Sequence, residues 1–178
     1  MHGAIAFGTI SNAIAPAPTI KESQEEYVIE QKTLSLEQAQ KVIEAVLNKA
    51  KEIGHRGVAV YVVDKSSEII ACARMNNLHP RYGKAAHRKA YTAACFERDT
   101  NGVIKFWDQQ AHEGHRGASD WNDSMLTTLP GGFCVLHGKD VLGGIAVAGG
   151  NKQFGDWEFI EVGMRALGPE YRHRVDWD

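Results

Sequence analysis

The chain has 178 residues, with Lys and Arg at 20, Asp and Glu at 22, and a formal net charge of −2. A hydrophobic share of 43% at this length builds a core without staples and excludes collagen-like and disordered compositions. The pI near 6.4 and the interspersed signs argue against a phosphate-tracking surface, so nucleic acid is not an expected partner.

Three cysteines, Cys72, Cys95 and Cys134, cannot all pair within the chain, and none shows CxxC spacing, which points to a reducing, cytoplasmic setting. The apolar opening Gly3 to Ala17 lacks a preceding Lys or Arg and is broken by Ser11, Asn12 and Pro16, so it does not read as a signal peptide. No run reaches the roughly 18 to 20 apolar residues of a membrane helix. Residues 1–33 read as an arm or leader, 34–168 as the domain and 169–178 as a C-terminal tail.

From Ser35 the apolar residues recur at steps of three and four (Leu36, Ala39, Val42, Ile43, Val46, Leu47, Ala50, Ile53), which predicts an amphipathic helix. Ser35 and Gln38 stand at capping-box distance, and Gly54 tolerates a left-handed stop. Val58 to Val63, the turn Asp64-Lys65-Ser66-Ser67 and Glu68 to Arg74 form a predicted hairpin. A small-residue helix is expected from Lys84 to Arg98, carrying Ala85, Ala86, Ala90, Ala93 and Ala94. Asp99 to Pro130 is the least regular stretch, with a short helix over Val103 to Ala111. A second hairpin follows, Phe133 to Leu136 and Val141 to Val147, and Phe154 to Leu167 is the last helix. Helix, hairpin, helix, loop, hairpin, helix points to an antiparallel α+β fold.

Chemistry is sparse and each signal has two readings. His112-Glu113-Gly114-His115 has a step of three with a glycine inside, unlike a zinc box, so a solvated loop is the simpler reading. Gly149 to Gly155, between strand and helix, offers backbone N–H groups to an anion or is a tight turn. Pro130-Gly131-Gly132 leaves room for a ligand against bare backbone. Arg74 and Met75 end the first hairpin, and His87, Lys89, Tyr91, Thr92 and Phe96 follow on the small-residue helix. His87 is either a cofactor ligand or a packed histidine. Lys89 is either a carboxylate-binding cation or a solvated helix charge.

Leu34 to Ala39, Val60 to Asp64, Ala73-Arg74-Met75, Lys89 to Ala94, Leu129 to Gly132 and Val141 to Gly150 together resemble the GlcG/HbpS haem-binding family, also found as the C-terminal part of PduO-type proteins. The resemblance spans Leu34 to Leu167. It implies a profilin-like antiparallel five-stranded sheet flanked by helices, homo-oligomeric assembly, and haem or a related tetrapyrrole as ligand. Ser67 stands where the family usually has Gly, and His112 to Asp123 looks like an insertion.

The resemblance makes a haem-binding or haem-processing oligomer the first functional expectation, with His87 as candidate iron ligand. Met75, Tyr91, Thr92, Phe96, Trp121, Pro130, Gly131 and Gly132 are the candidate ligand contacts, Trp121 lying in a segment able to close a pocket. The alternative is a small-molecule enzyme of catabolism, an isomerase, hydratase or hydrolase, with Arg74 and Lys89 holding an anionic substrate and His112 as acid or base. A third reading, an accessory subunit, needs no pocket.

Overall fold

A computed structural model describes residues 30–114 and 121–176. The chain divides into two units, residues 1–30 and 31–178, and the folded body described below is the second. The expected leader therefore falls almost wholly outside the described residues, as do His115 and Asp120. Its last residues dock: Lys32 pairs with Asp140 at 2.6 Å, and the Leu34 N–H donates to the Leu142 carbonyl at 3.0 Å.

The first helix, α1 (Leu36–Glu52), begins on the expected capping box. The Gln38 N–H donates to Ser35 Oγ at 3.3 Å, and the Ser35 N–H donates to Gln38 Oε1 at 2.8 Å. Ala39, Val42, Val46 and Ala50 turn inward, and Gly54 closes the helix at φ +62°. Strands β1 (Ala59–Asp64) and β2 (Ile69–Arg74) form the first hairpin. Its turn holds Ser67 at φ +68°, a left-handed conformation that glycine adopts at lower cost, at the very position where the family resemblance expects Gly.

The second helix, α2 (Pro80–Cys95), starts four residues before the expected Lys84 because Pro80 suits a first helical turn and His79 Nδ1 accepts the Arg81 N–H at 3.2 Å. It stops short of Arg98, with Glu97 at φ +51°. The third helix, α3 (Thr100–His112), is longer than the expected Val103 to Ala111. The remaining elements are β3 (Gly132–His137), β4 (Asp140–Ala148), α4 (Asp156–Leu167) and β5 (Tyr171–Arg172). The last helix starts at Asp156 instead of Phe154, because the preceding residues are spent on an Asn151-centred turn.

The five strands form one antiparallel sheet in the order β2-β1-β4-β3-β5, the α+β architecture the sequence pattern predicts. Two unlike layers cover it. Val58, Val60, Val62, Phe133, Val135, Ile145 and Val147 meet α1 and α4 in the main core. The opposite face presents Ala59, Ala146 and Ala148 to Ala86, Ala90 and Ala94 of α2. With so little side chain between them, α2 lies almost on the sheet backbone: a Cβ on Gly132 would stand 2.5 Å from the Lys89 carbonyl oxygen. That close approach places the α2 side chains beside the strand ends.

Candidate functional site

Lys89 lies on the sheet-facing side of α2 and its side chain is only 2% exposed. It is no solvated helix charge. Its Nζ passes the start of β3 and donates to Asp156 Oδ2 at 2.6 Å, joining the helical layers on the two faces of the sheet. Burial pushes the Lys89 amine below its ordinary pKa, and the Asp156 carboxylate opposes that shift. The other Asp156 oxygen accepts the Gly150 N–H at 2.7 Å, which fixes the carboxylate. Gly131, at φ +92°, packs directly against the amine, since a Cβ there would lie 3.1 Å from Nζ.

Above this pair opens a cleft of ≈ 430 Å³ lined by Asn101, Pro130, Gly131, Asn151, Asp156 and Trp157, among others. The structure thus brings together Lys89 and Pro130-Gly131-Gly132, which the sequence singled out separately. It adds Asp156, which the sequence reading missed. The available signal was an acidic residue opening the helix after Gly155, at the distance of a strand end from the Pro-Gly-Gly turn.

A second set of candidates lies along α2 away from the Lys89–Asp156 pair. His87 is partly buried and stacks on Tyr61 at 5.2 Å with 16° between the planes. Burial holds its imidazole below the ordinary pKa, outweighing the attraction of Glu68. On the outer side of the same helix, Arg81, Tyr82, Lys84, Ala85, Arg88 and Leu129 line a largely apolar cleft of ≈ 400 Å³ rimmed by the three cations. Tyr91 Oη donates to Asp123 at 2.9 Å, a bond that raises the phenol pKa to about 12. Thr92 Oγ1 accepts the Thr127 N–H at 3.0 Å, and Arg88 Nη2 donates to the Leu126 carbonyl at 2.5 Å. These three bonds strap residues 123–127 onto α2, so Tyr91 and Thr92 serve as anchors.

The other candidates are scattered. Arg74 donates through Nη1 to the Leu78 carbonyl, and Met75 packs at the edge of the main core. Arg74 and Lys89 are therefore each committed to a different protein acceptor. Phe96 is buried and meets Phe106, Trp107 and the exposed Trp121 at ring distances of 5.2 to 6.2 Å. His112 is exposed at the end of α3. Among the described residues, no group of three His, Cys, Asp or Glu side chains is arranged to hold a metal ion.

One constellation had no sequence signal. Asp99, fully buried, accepts the Cys134 N–H at 2.9 Å and faces His173 Nδ1 across 2.5 Å. The His173 ring stacks on Phe133 at 4.0 Å, and its Nε2 lies 3.5 Å from Glu161. The Asp99 hydrogen bond raises the histidine pKa, while burial raises that of Asp99. Both groups hold their proton more tightly folded than unfolded, so the contribution of His173 is complete below its ordinary 6.5 and is lost as pH rises through the raised value. Urea denaturation is expected to show wild type losing about 1–2 kcal/mol from mildly acidic to alkaline pH, a slope reduced in His173→Gln to what the buried Asp99 contributes. Parallel profiles for the two proteins would refute the assignment.

The small-residue helix against the sheet, the Pro-Gly-Gly entry to β3 and the glycine-rich β4 are the features by which the chain can be compared with known proteins. A family model described as haem degrading protein HbpS-like matches residues 34–165. The chain belongs to this HbpS-like family. A double mutant of HbpS from Streptomyces reticuli has 26% identity and a TM-score of 0.68, over 87% of this chain and 99% of that one. ORFY of Klebsiella pneumoniae, at 21% identity and a TM-score of 0.67, shares the fold over 79% of this chain and 94% of its own. PduOC, solved in complex with haem, shares the fold at 18% identity and a TM-score of 0.62, over 82% and 99% of the two chains. No curated protein matches the chain significantly. No helix among the described residues is long and apolar enough to cross a membrane.

Proposed function

We propose that this chain binds haem or a related tetrapyrrole along α2, with His87 as the axial ligand. The carrying observation is a partly buried histidine, stacked on Tyr61 and with its pKa lowered by burial, on the same helix as an apolar cleft rimmed by Arg81, Lys84 and Arg88. An iron ligand must be neutral imidazole, and burial shifts His87 toward that form. The apolar floor suits a macrocycle, and the exposed Lys84 and Arg81 suit its carboxylates, Arg88 being committed to the Leu126 carbonyl. Bound haem would supply iron for redox or gas-ligand chemistry, while the protein residues hold the macrocycle and exclude water. Family membership and the likeness to HbpS support the same ligand, and haem processing is the finer reading that follows from the family description.

Assembly into a homo-oligomer belongs to the same proposal. Strand β2 is a sheet edge, and it exposes Ile69 and Cys72, a pattern that favours covering by another chain. Unpaired Cys72, Cys95 and Cys134 support a reducing, cytoplasmic setting. The enzyme reading that relies on Arg74 and Lys89 as anion holders is less well supported, because both cations already serve protein acceptors.

Haemin titration followed at the Soret band tests the proposal. Saturable binding near one haem per chain is expected, weakened at least about tenfold in His87→Ala and unchanged in His112→Ala, with circular dichroism confirming that both variants fold. An unaltered spectrum and affinity in folded His87→Ala would remove His87 as the ligand. Absence of saturable binding in wild type would remove the haem reading itself.

A further inference from the structure

A third cleft, of ≈ 440 Å³, opens between α4 and β5 and is lined by Glu161, Met164, Arg165, Tyr171, Arg172 and His173, among others, with no residue of α2 taking part. We propose that this cleft is a proton-transfer site, in which Glu161 and His173 shift a hydrogen between the carbonyl oxygen and the adjacent carbon of a small 2-oxo acid. Three observations converge. The buried Asp99 carboxylate stands 2.5 Å from His173 Nδ1 and can only accept there, so the Nδ1 proton is committed inward and Nε2 is the nitrogen left for Glu161 Oε1, 3.5 Å away. Neither group is sealed in the protein: the His173 side chain is 26% exposed, that of Glu161 is 33% exposed, and both line the cleft. Finally, the exposed Arg165 and Arg172 line the same cleft and suit a carboxylate. Arg165 serves the Glu161 carbonyl through Nε alone, at 3.3 Å, and Arg172 gives one nitrogen to the Gly138 carbonyl at 3.5 Å, so each keeps terminal N–H groups for a ligand.

The described residues that line the cleft include no serine, threonine, cysteine or lysine, so the chemistry on offer is proton movement between an acid and a base. The hydrogen bond to Asp99 raises the pKa of His173, which keeps its acid form available near neutral pH. In the proposed step the Glu161 carboxylate takes a proton from the carbon beside the carbonyl group. The C–H electron pair closes a C=C bond, and the C=O π pair moves to oxygen, which takes the Nε2 proton of the His173 imidazolium to give the enol. The proton on Glu161 then passes to Nε2, which restores the carboxylate and the imidazolium, so charge and protons balance without any further reactant.

The test uses the full-length, haem-free protein and 2-oxobutanoate in deuterium oxide near neutral pH, with loss of the C3 proton signal followed by NMR. Wild type is expected to exchange these protons at least about tenfold faster than the spontaneous reaction, and saturably with the 2-oxo acid. Glu161→Gln and His173→Gln, each checked by circular dichroism, are each expected to lose at least about tenfold of the rate, and Arg165→Ala to raise KM severalfold. In wild type, which needs no variant to fold, exchange no faster than the spontaneous reaction would overturn the proposal. Acceleration that survives undiminished in folded Glu161→Gln and His173→Gln would overturn it as well. The outcome is independent of the haem reading, since exchange is followed without haem.

Discussion

Asp156→Ala is expected to destabilise the protein by about 2–3 kcal/mol in urea denaturation, far more than an ordinary replacement at a partly exposed helix start. The reason lies in the partner. Lys89 has a side chain 2% exposed, so removing the carboxylate leaves an ammonium ion with no countercharge at its 2.6 Å contact and little water to replace it. Breaking a fully buried pair costs about 3–5 kcal/mol, and the 30% exposure of Asp156 brings the figure down, because solvent screens part of the attraction and can enter the gap. The loss also frees the Gly150 N–H, which donates to the other carboxylate oxygen. Lys89→Met is expected to behave differently. It removes the buried charge together with its desolvation cost and leaves Asp156 a carboxylate with access to water, so the change should stay within about 1 kcal/mol. Equal losses in the two variants would show that the pair is not the source of the energy.

What the sequence reveals and what it hides follow from the range of the interactions. The capping box at Ser35 and Gln38, the α1 stripe and both hairpins are local, and each is legible within a dozen residues. Strand β5 is two residues long, too short for any periodicity, and only the family resemblance supplied a fifth strand. The alanine run sets the expected start of α2 at Lys84, four residues after Pro80, because it is a louder signal than a proline, although proline is well suited to a first turn. From the sequence Lys89 is either a carboxylate-binding cation or a solvated helix charge, and the alanine-rich helix does not decide between them. It is buried because its partner comes from a helix 67 positions later in the chain. Asp99 and His173 are 74 residues apart and meet only because the C-terminal segment returns beside β3. Among the candidate residues, those that converge are joined by backbone geometry, Lys89 with Gly131 and Gly132, and this packing has no signature in composition.

Replacing Gly132 by alanine is expected to cost about 2–4 kcal/mol, visible as a drop of many degrees in the thermal midpoint. The new Cβ would stand 2.5 Å from the Lys89 carbonyl oxygen, 2.9 Å from its carbon and 3.0 Å from Thr100 Cγ2. None of these atoms can yield cheaply. The first two are backbone in the middle of α2, which is held against the sheet by Ala86, Ala90 and Ala94 on Ala59, Ala146 and Ala148. The third belongs to a buried threonine whose Oγ1 accepts the Gly132 N–H at 3.0 Å. Lifting α2 would also pull Lys89 from Asp156, so the steric and electrostatic costs are coupled and the two sites should not be additive. Gly102→Ala provides the contrast. Its Cβ would overlap the Val175 carbonyl oxygen, yet that atom lies in the C-terminal segment, which can shift at the cost of its own docking. Gly102→Ala is therefore expected to change stability by about 1–2 kcal/mol and to flatten the pH slope assigned to His173, while Gly132→Ala lowers stability at every pH. A Gly132→Ala protein as stable as wild type would mean that α2 is not held against the sheet by this contact.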